Sequence, residues 1–175
     1  MAYHIMDLIE ILTQSYQNPI IYSFLFFIYT ILAAVILPIP VEIGLFNPNV
    51  HPVLLISILA IGKGVGAGIV FIIGAKIRSL LKTMNSSGPV TKKILTYCEA
   101  FVIKYGNIGL FIIMSIPLMI DSVSLYLFSL LNPKEESGKY ALAQQRFIII
   151  NIGAGIVRGS IIMIVFWLFQ VRLVS

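Results

Sequence analysis

The hydrophobic pattern along the chain predicts apolar helical segments separated by short polar stretches. The apolar segments cover residues 19–37, 53–75, 107–131 and 147–170. A helix rises about 1.5 Å per residue, so roughly 20 residues cross the ~30 Å apolar layer of a membrane. Each segment reaches that length, and the pattern therefore predicts an all-α membrane protein, a small multi-pass helical bundle.

Proline interrupts this pattern at two places, and an acidic residue follows each interruption. Residues 37–42 (LPIPVE) contain Pro38 and Pro40 and end in Glu42, and Pro117 likewise precedes Asp121 by four residues. Proline has no backbone N–H and breaks a helix. Broken backbone at membrane depth must be packed inside protein or line a cavity. We therefore predict two re-entrant hairpins, each carrying an acid.

Glycine clusters mark the second and fourth apolar segments. The glycines at close spacing are Gly62, Gly64, Gly66, Gly68, Gly155 and Gly159. Small residues four positions apart allow helix backbones to approach closely in lipid, and we assign these glycines to helix packing. The spacing of a phosphate-binding loop, G-x-x-x-x-G-K-[ST], is absent.

The composition supports a membrane protein and argues against other classes. Of 175 residues, 59% are hydrophobic and 11% charged, whereas a soluble domain carries roughly 25% charged residues. The net charge of +5 fits basic loops beside anionic lipid, and the sequence has no basic soluble face for nucleic acid. Cys98 is the single cysteine, so no disulfide or zinc site is expected. His4 and His51 lie outside the predicted spans, and we expect neither an enzyme nor a cofactor.

The polar segments suggest a topology. Residues 5–17 and 90–105 show amphipathic helical spacing and are expected to lie at the membrane surface. The basic segment 76–104 is expected to be a cytoplasmic loop of a cell-membrane protein, with both termini on the same side. The chain is then one membrane domain of two similar halves, about 1–82 and 88–175. We expect inverted repeats, although spacing alone leaves their orientation and the oligomeric state open.

Ionisable residues within apolar sequence are the candidate site: Glu42, Lys63, Asp121 and Arg158. The Lys, Arg and Asp each cost ~2.5–3.5 kcal/mol at a helix centre, and we take the Glu to be similar. Left unpaired, the set would cost on the order of 10 kcal/mol, which rivals the whole stability of many domains. We therefore predict that these acids and bases are paired, hydrated or both.

These charges allow more than one function. In the first hypothesis, Glu42 and Asp121 exchange protons while Lys63 and Arg158 bind an anionic headgroup such as phosphate, at a transporter site between repeats. In the second, the same acids serve a proton-coupled antiporter of small ions or drugs. In the third, the charges form structural ion pairs in a membrane scaffold.

Two stretches resemble the DedA family, also called the VTT or SNARE-associated membrane-protein superfamily. Residues 37–42 followed by 62–74 (GKGVGAGIVFIIG) are similar to its first half. Residues 101–111 (FVIKYGNIGLF) followed by Ile116 and Pro117 are similar to its second half. The resemblance runs from about residue 5 to 170. It implies two opposed re-entrant hairpins that meet in the membrane, and proton-dependent movement of polyprenyl phosphates or phospholipids between leaflets.

The resemblance also assigns individual positions. Glu42 matches the acid of the family's first half, and Asp121 lies where some branches carry an acidic or polar residue after the second proline. Many members have arginines three positions before and three after that proline, but Met114 and Ile120 stand there in this chain. We expect Arg158 or Lys63 to supply the missing charge.

Overall fold

The computed structural model describes residues 10–36, 40–83, 89–133 and 141–173. Within these ranges the chain is all-helical, so this part of the predicted fold is confirmed. The long helices are α1 (Pro19–Val35), α2 (Pro52–Thr83), α3 (Pro89–Ser115), α4 (Asp121–Leu130) and α5 (Gln144–Leu173). Short 3-10 helices cover Ser15–Gln17 and Val41–Leu45.

Helices α2 and α5 form the centre of the bundle. Each contains a stretch that is long and apolar enough to cross a membrane, Pro52–Arg78 in α2 and Gln144–Phe169 in α5. Helix α2 contacts α1, α4 and α5, and α3 packs against α5. The two broken parts of the chain are therefore arranged around a pair of uninterrupted helices.

Helix α1 begins where the local sequence favours a helix start. The side chain of Asn18 accepts hydrogen bonds from the backbone N–H groups of Ile20 and Ile21, both at 3.2 Å. The following Pro19 occupies the first helical position, where a missing N–H costs nothing. The helix stops at Val35, two residues short of the predicted segment end.

The first break lies partly within the described residues. Pro40 has an extended backbone and directly precedes the 3-10 helix Val41–Leu45. Pro38, the other proline predicted to break the helix, lies outside the described residues. The predicted surface helix 5–17 is likewise described only from residue 10 onward, and there Leu12 is buried against an apolar cluster that includes Tyr22.

The prediction that a surface helix over 90–105 is separate from the next span was wrong. Helix α3 runs without interruption from Pro89 to Ser115. Val102, Gly106, Leu110 and Met114 recur every four residues, and all of them are buried. This continuous buried face favours one helix, and a single glycine within it is tolerated.

The basic segment 76–104 was predicted to be a loop between spans that contains a helix over 90–105, but all of its described residues are helical. Residues 76–83 continue α2, and residues 89–104 belong to α3. Arg78, from this basic segment, is 7% exposed and donates from Nη1 to the backbone carbonyl of Leu130 at 2.7 Å. The arginine therefore caps the end of α4.

The polar connection before the last helix is shorter than the sequence predicted. Helix α5 begins at Gln144, so Arg146 lies in its first turn instead of in the loop. Asn132 and Leu142 exchange two hydrogen bonds of 2.8 Å, one to and one from the asparagine side chain. These bonds bring the end of α4 next to the start of α5.

The glycines of α2 face two different helices. Gly62 and Gly66 lie against α1, where an added Cβ on Gly66 would come within 2.5 Å of the Cβ of Ala34. Gly64 and Gly68 lie against α5, and a Cβ on Gly64 would come within 2.5 Å of Ile152. The missing side chains allow α2 to contact both neighbours closely.

The glycines of α5 complete the same contact from the other side. A Cβ on Gly155 would lie 2.9 Å from the Cα of Ala60 in α2. One on Gly159 would lie 3.2 Å from Ile56, one helical turn further along. Helices α2 and α5 therefore approach each other closely beside Lys63, whose side-chain carbon would be 3.4 Å from the added Cβ on Gly155.

Two apolar clusters fill the bundle. The first includes Ala67, Leu110 and Phe147, and the second includes Tyr22, Phe26 and Leu59. Along α2, Leu59 and Ala67 each lie four residues from Lys63, which is about one helical turn. A buried cation therefore lies between the two clusters.

Candidate functional site

The predicted ionisable residues occupy two kinds of position. Glu42 lies in the first turn of the 3-10 helix Val41–Leu45, and Asp121 is the first residue of α4. Lys63 and Arg158 lie within the long helices α2 and α5. Each acid thus directly follows a helix break, while each base is carried by an unbroken helix.

All four side chains are buried. Lys63 and Arg158 are 0% exposed, Asp121 is 3% exposed and Glu42 is 4% exposed. We call Glu42, Lys63, Asp121 and Arg158 together the four-ion cluster. Burial of this degree removes nearly all hydration, so the ions depend on one another for stabilisation.

Arg158 joins the acids of the two breaks. Its Nε donates to Glu42 Oε1 at 2.7 Å, and its Nη2 donates to the same oxygen. Its Nη1 donates to Asp121 Oδ1 at 2.7 Å. One guanidinium therefore bridges two carboxylates that lie 79 residues apart in sequence. Hydrogen bonds between such charged groups are roughly twice as strong as those between neutral groups.

Lys63 completes the cluster on the side of α2. Its Nζ donates to Asp121 Oδ1 and to the backbone carbonyl of Met114, both at 3.1 Å. Asp121 Oδ1 thus accepts from both cations, Lys63 and Arg158. The formal charges sum to zero, and the pairing predicted from sequence is present in the structure.

Each carboxylate keeps one oxygen without a donor. Glu42 Oε2 and Asp121 Oδ2 are buried and accept no hydrogen bond from the described part of the chain. A buried polar atom left unsatisfied costs about 1–3 kcal/mol. These two oxygens are therefore the acceptor positions of the cluster that remain open.

Two tyrosines of α1 position the turn that carries Glu42. Tyr22 donates from its hydroxyl to the carbonyl of Gly44 at 2.9 Å, and Tyr29 donates to the carbonyl of Pro40 at 3.0 Å. The sequence analysis assigned neither tyrosine to the site. Their spacing of seven residues places both on one face of α1. This spacing was the feature of the sequence that could have indicated a shared role.

The second break contributes backbone groups as well as an acid. Leu118 has a φ of 62°, the left-handed region that side chains rarely adopt, and its N–H donates to Glu42 Oε1 at 2.8 Å. The next carbonyl, that of Met119, accepts from Arg158 Nη2 at 2.9 Å. The backbone after Pro117 is therefore bonded to the acid of the first break.

The strained backbone of Leu118 gives a direct test of this connection. We expect Leu118→Val to lower the melting temperature in detergent, because β-branched residues tolerate positive φ least. We expect Leu118→Gly to leave it equal or slightly higher. Glycine removes a strain of roughly 1–2 kcal/mol, offset by about 0.4–1 kcal/mol of unfolded-chain freedom. Leu118 is 74% exposed, so changes in packing contribute little.

The neighbouring Ile116 supplies the control for this comparison. It is 47% exposed, and Leu118 is the only described non-glycine residue with positive φ. Ile116→Gly is therefore expected to lower the melting temperature relative to Ile116→Val. The same order at Leu118 would contradict the left-handed conformation.

No protein-family model, curated protein or solved structure matches this chain.

Among the described residues, no three His, Cys, Asp or Glu side chains are grouped to hold a metal ion. The four-ion cluster consists of two buried cations paired with two buried carboxylates. Chemically, the cluster combines N–H donors, which suit an anion, with two buried carboxylate oxygens to which no described residue donates.

Proposed function

We propose that this protein is a multi-pass membrane transporter of the DedA type. It moves a lipid phosphate, such as a polyprenyl phosphate, or a phospholipid between leaflets in exchange for protons or together with them. The observation that carries the proposal is the four-ion cluster, which joins two helix breaks at a buried site. Broken helices that meet at a buried charged site are how many transporters bind substrate near the membrane midplane.

The distribution of polar and apolar side chains supports a position within a membrane. Charged side chains of the cluster lie inside the bundle, and large apolar side chains lie on its outside. Exposed examples on α5 are Ile149, Ile156, Ile164, Trp167 and Phe169. With a mean hydropathy of +1.00, this arrangement matches lipid as the surrounding solvent. We place the basic ends of α2 and α3, and both termini, on the cytoplasmic side.

The cations are suited to bind a phosphate. Arg158 presents a planar fork of N–H donors, the geometry that matches phosphate oxygens. Lys63 and Arg158 also contact the carbonyls of Met114 and Met119, on either side of Pro117. The family resemblance leads us to expect arginines near these positions, and here the two cations reach the same backbone from other helices.

Charge balance gives proton coupling a physical basis. With both acids ionised, the cluster is formally neutral, and Nε and Nη2 of Arg158 both donate hydrogen bonds to Glu42. A proton on Glu42 removes one negative charge and weakens both bonds. The cluster then carries a net positive charge, which favours an anion. We therefore infer that phosphate and proton occupy the site together, and that the two halves move around it as inverted repeats.

Leaflet exchange in liposomes tests the proposal. Liposomes containing the purified protein should exchange a fluorescent polyprenyl phosphate between leaflets faster than empty liposomes. Glu42→Gln should reduce the protein-dependent rate at least tenfold, about 1.4 kcal/mol, because an amide keeps the shape but cannot exchange a proton. Glu10→Gln is the matched control, since Glu10 is exposed on the N-terminal helical turn, and it should leave the rate unchanged.

The internal neutrality of the cluster also favours a second candidate, a membrane scaffold with structural ion pairs. A scaffold would catalyse no exchange, and Glu42→Gln would then lower only the melting temperature. An antiporter would instead show proton flux driven by a soluble cation and no response to lipid phosphate. A folded Glu42→Gln protein with undiminished lipid exchange would remove Glu42 from the mechanism.

A further inference from the structure

An apolar cavity of about 450 Å³ lies beside the four-ion cluster. Pro40 and Pro117, one from each break, line it together with Leu118 and Glu42. Its wall on α5 consists of Ile161, Ile162, Val165, Phe166 and Phe169. The volume lies within the ~300–1,000 Å³ range of small-molecule sites. Apart from Glu42, the side chains that line the cavity are apolar.

The cavity and the four-ion cluster share part of their walls. Glu42 lines the cavity, and its Oε1 accepts hydrogen bonds from Arg158 and from the N–H of Leu118. Leu118 lines the cavity in turn. The polar atoms of Glu42 and Arg158 lie behind this apolar wall. A molecule in the cavity would therefore contact apolar side chains along its length, and it would meet the guanidinium only after a proton on Glu42 had weakened the Glu42–Arg158 pair.

We propose that this cavity holds the apolar chain of a lipid phosphate whose phosphate group is directed toward Arg158. The assignment rests on the proposed function and adds a binding site to it. A hydrocarbon chain needs no hydrogen-bond partner and suits an apolar wall, while an anion suits the guanidinium. Free phosphate would match only the cluster, and a neutral chain would match only the cavity. A lipid phosphate matches both.

A second cavity extends the same surface. It measures about 760 Å³ and lies between the turn after the 3-10 helix and the end of α5, near Trp167. Phe46 and Phe166 line both cavities, and their ring centroids are 5.0 Å apart. A chain too long for the first cavity would continue past this aromatic pair into the second. Binding should therefore strengthen with chain length.

Filling the first cavity tests the assignment. Val165 is 45% exposed and lines the cavity, so Val165→Trp should occupy the space of the chain. Ile156 on the same helix is 48% exposed and lies outside both cavity linings, so Ile156→Trp is the matched control. Ile161→Trp is the second test variant in case Val165→Trp does not fold.

The measurement is equilibrium binding of three probes to the purified full-length protein in detergent: a long-chain polyprenyl phosphate, a short-chain alkyl phosphate and the uncharged polyprenol. We expect the wild type to bind the long-chain phosphate at least about tenfold tighter than either other probe. Val165→Trp should lose the advantage of the long chain and keep its affinity for the short-chain phosphate. Ile156→Trp should match the wild type.

Failure of the cavity assignment and failure of the proposed function give different results. Unchanged long-chain binding by Val165→Trp would overturn the cavity assignment alone. A change from dimer to monomer on Val165→Trp, with unchanged lipid binding, would also overturn it and place a second copy of the chain on this surface. Equal binding of polyprenol and polyprenyl phosphate by the wild type would overturn the phosphate transporter itself.

Discussion

Arg158→Met should lower the free energy of unfolding by about 3–5 kcal/mol, the usual effect of removing one partner from a buried ion pair. The arginine is 0% exposed and donates to both Glu42 and Asp121. Without it, Asp121 keeps Lys63, but Glu42 keeps only the N–H of Leu118. One uncompensated negative charge then stays buried. Thermal or denaturant unfolding of the purified protein in detergent measures the loss.

A second substitution separates electrostatics from packing. In Arg158→Met combined with Glu42→Leu, the cluster is formally neutral again, because Lys63 and Asp121 remain paired. Replacing a buried ion pair by apolar residues is often neutral, so most of the lost stability should return. Arg146→Met is the control, since Arg146 is exposed on the same helix and should change stability by less than about 0.5 kcal/mol. A double variant as unstable as Arg158→Met would contradict direct pairing.

Gly155→Ala and Gly153→Ala should change stability in opposite directions although they lie two residues apart. A Cβ on Gly155 would be 2.9 Å from the Cα of Ala60, a backbone atom that cannot turn aside. We expect a loss of about 1–3 kcal/mol as α2 and α5 are forced apart. A Cβ on Gly153 would meet only Phe111, at an ordinary 3.5 Å. There the better helix propensity of alanine should add up to ~1 kcal/mol.

The same pair of variants also links helix packing to the four-ion cluster. The added Cβ at Gly155 would lie 3.4 Å from the side chain of Lys63. Separation of α2 and α5 should therefore slow lipid exchange in Gly155→Ala and leave Gly153→Ala active. If both variants show equal stability, the close approach of these two helices at Ala60 is wrong.

The cluster connects two breaks that are distant in sequence. Arg158 holds the acid of the first break and the acid of the second, and Leu118 of the second break donates directly to Glu42. Under the proposed function, a proton on Glu42 would weaken its bonds to Arg158 and to Leu118 at once. The tyrosines of α1 would keep the first turn in place during that change.

The sequence correctly predicted the helical class and singled out all four members of the cluster. Each was recognised from the cost of a charge in apolar sequence, which needs no knowledge of its neighbours. The helix boundaries were less accurate, because they depend on burial. Gly106 and the lysines near it are residue types that often mark the end of a helix. The buried face through Val102 and Leu110 nevertheless keeps α3 continuous.

Partners within the site could not be predicted in the same way. Glu42 and Arg158 lie 116 residues apart, and no spacing along the chain specifies which acid meets which base. The roles of Tyr22 and Tyr29 also depend on a carbonyl that is presented by a turn in another part of the chain. A tyrosine in an apolar helix is compatible with ordinary packing.

The sequence by itself determined that the chain is helical and that its helices break before two acids. It also determined that the charged side chains within apolar sequence must be paired or hydrated inside the protein. These properties follow from single side chains and their near neighbours in sequence. The free-energy cost of a charge or a proline within an apolar helix does not depend on distant residues. Only the tertiary structure decided that one arginine serves both acids, that Asp121 Oδ1 is shared by two cations, and that an apolar cavity lies against Glu42. Those properties depend on how distant helices are placed relative to one another, and close packing at glycines contributes to that placement.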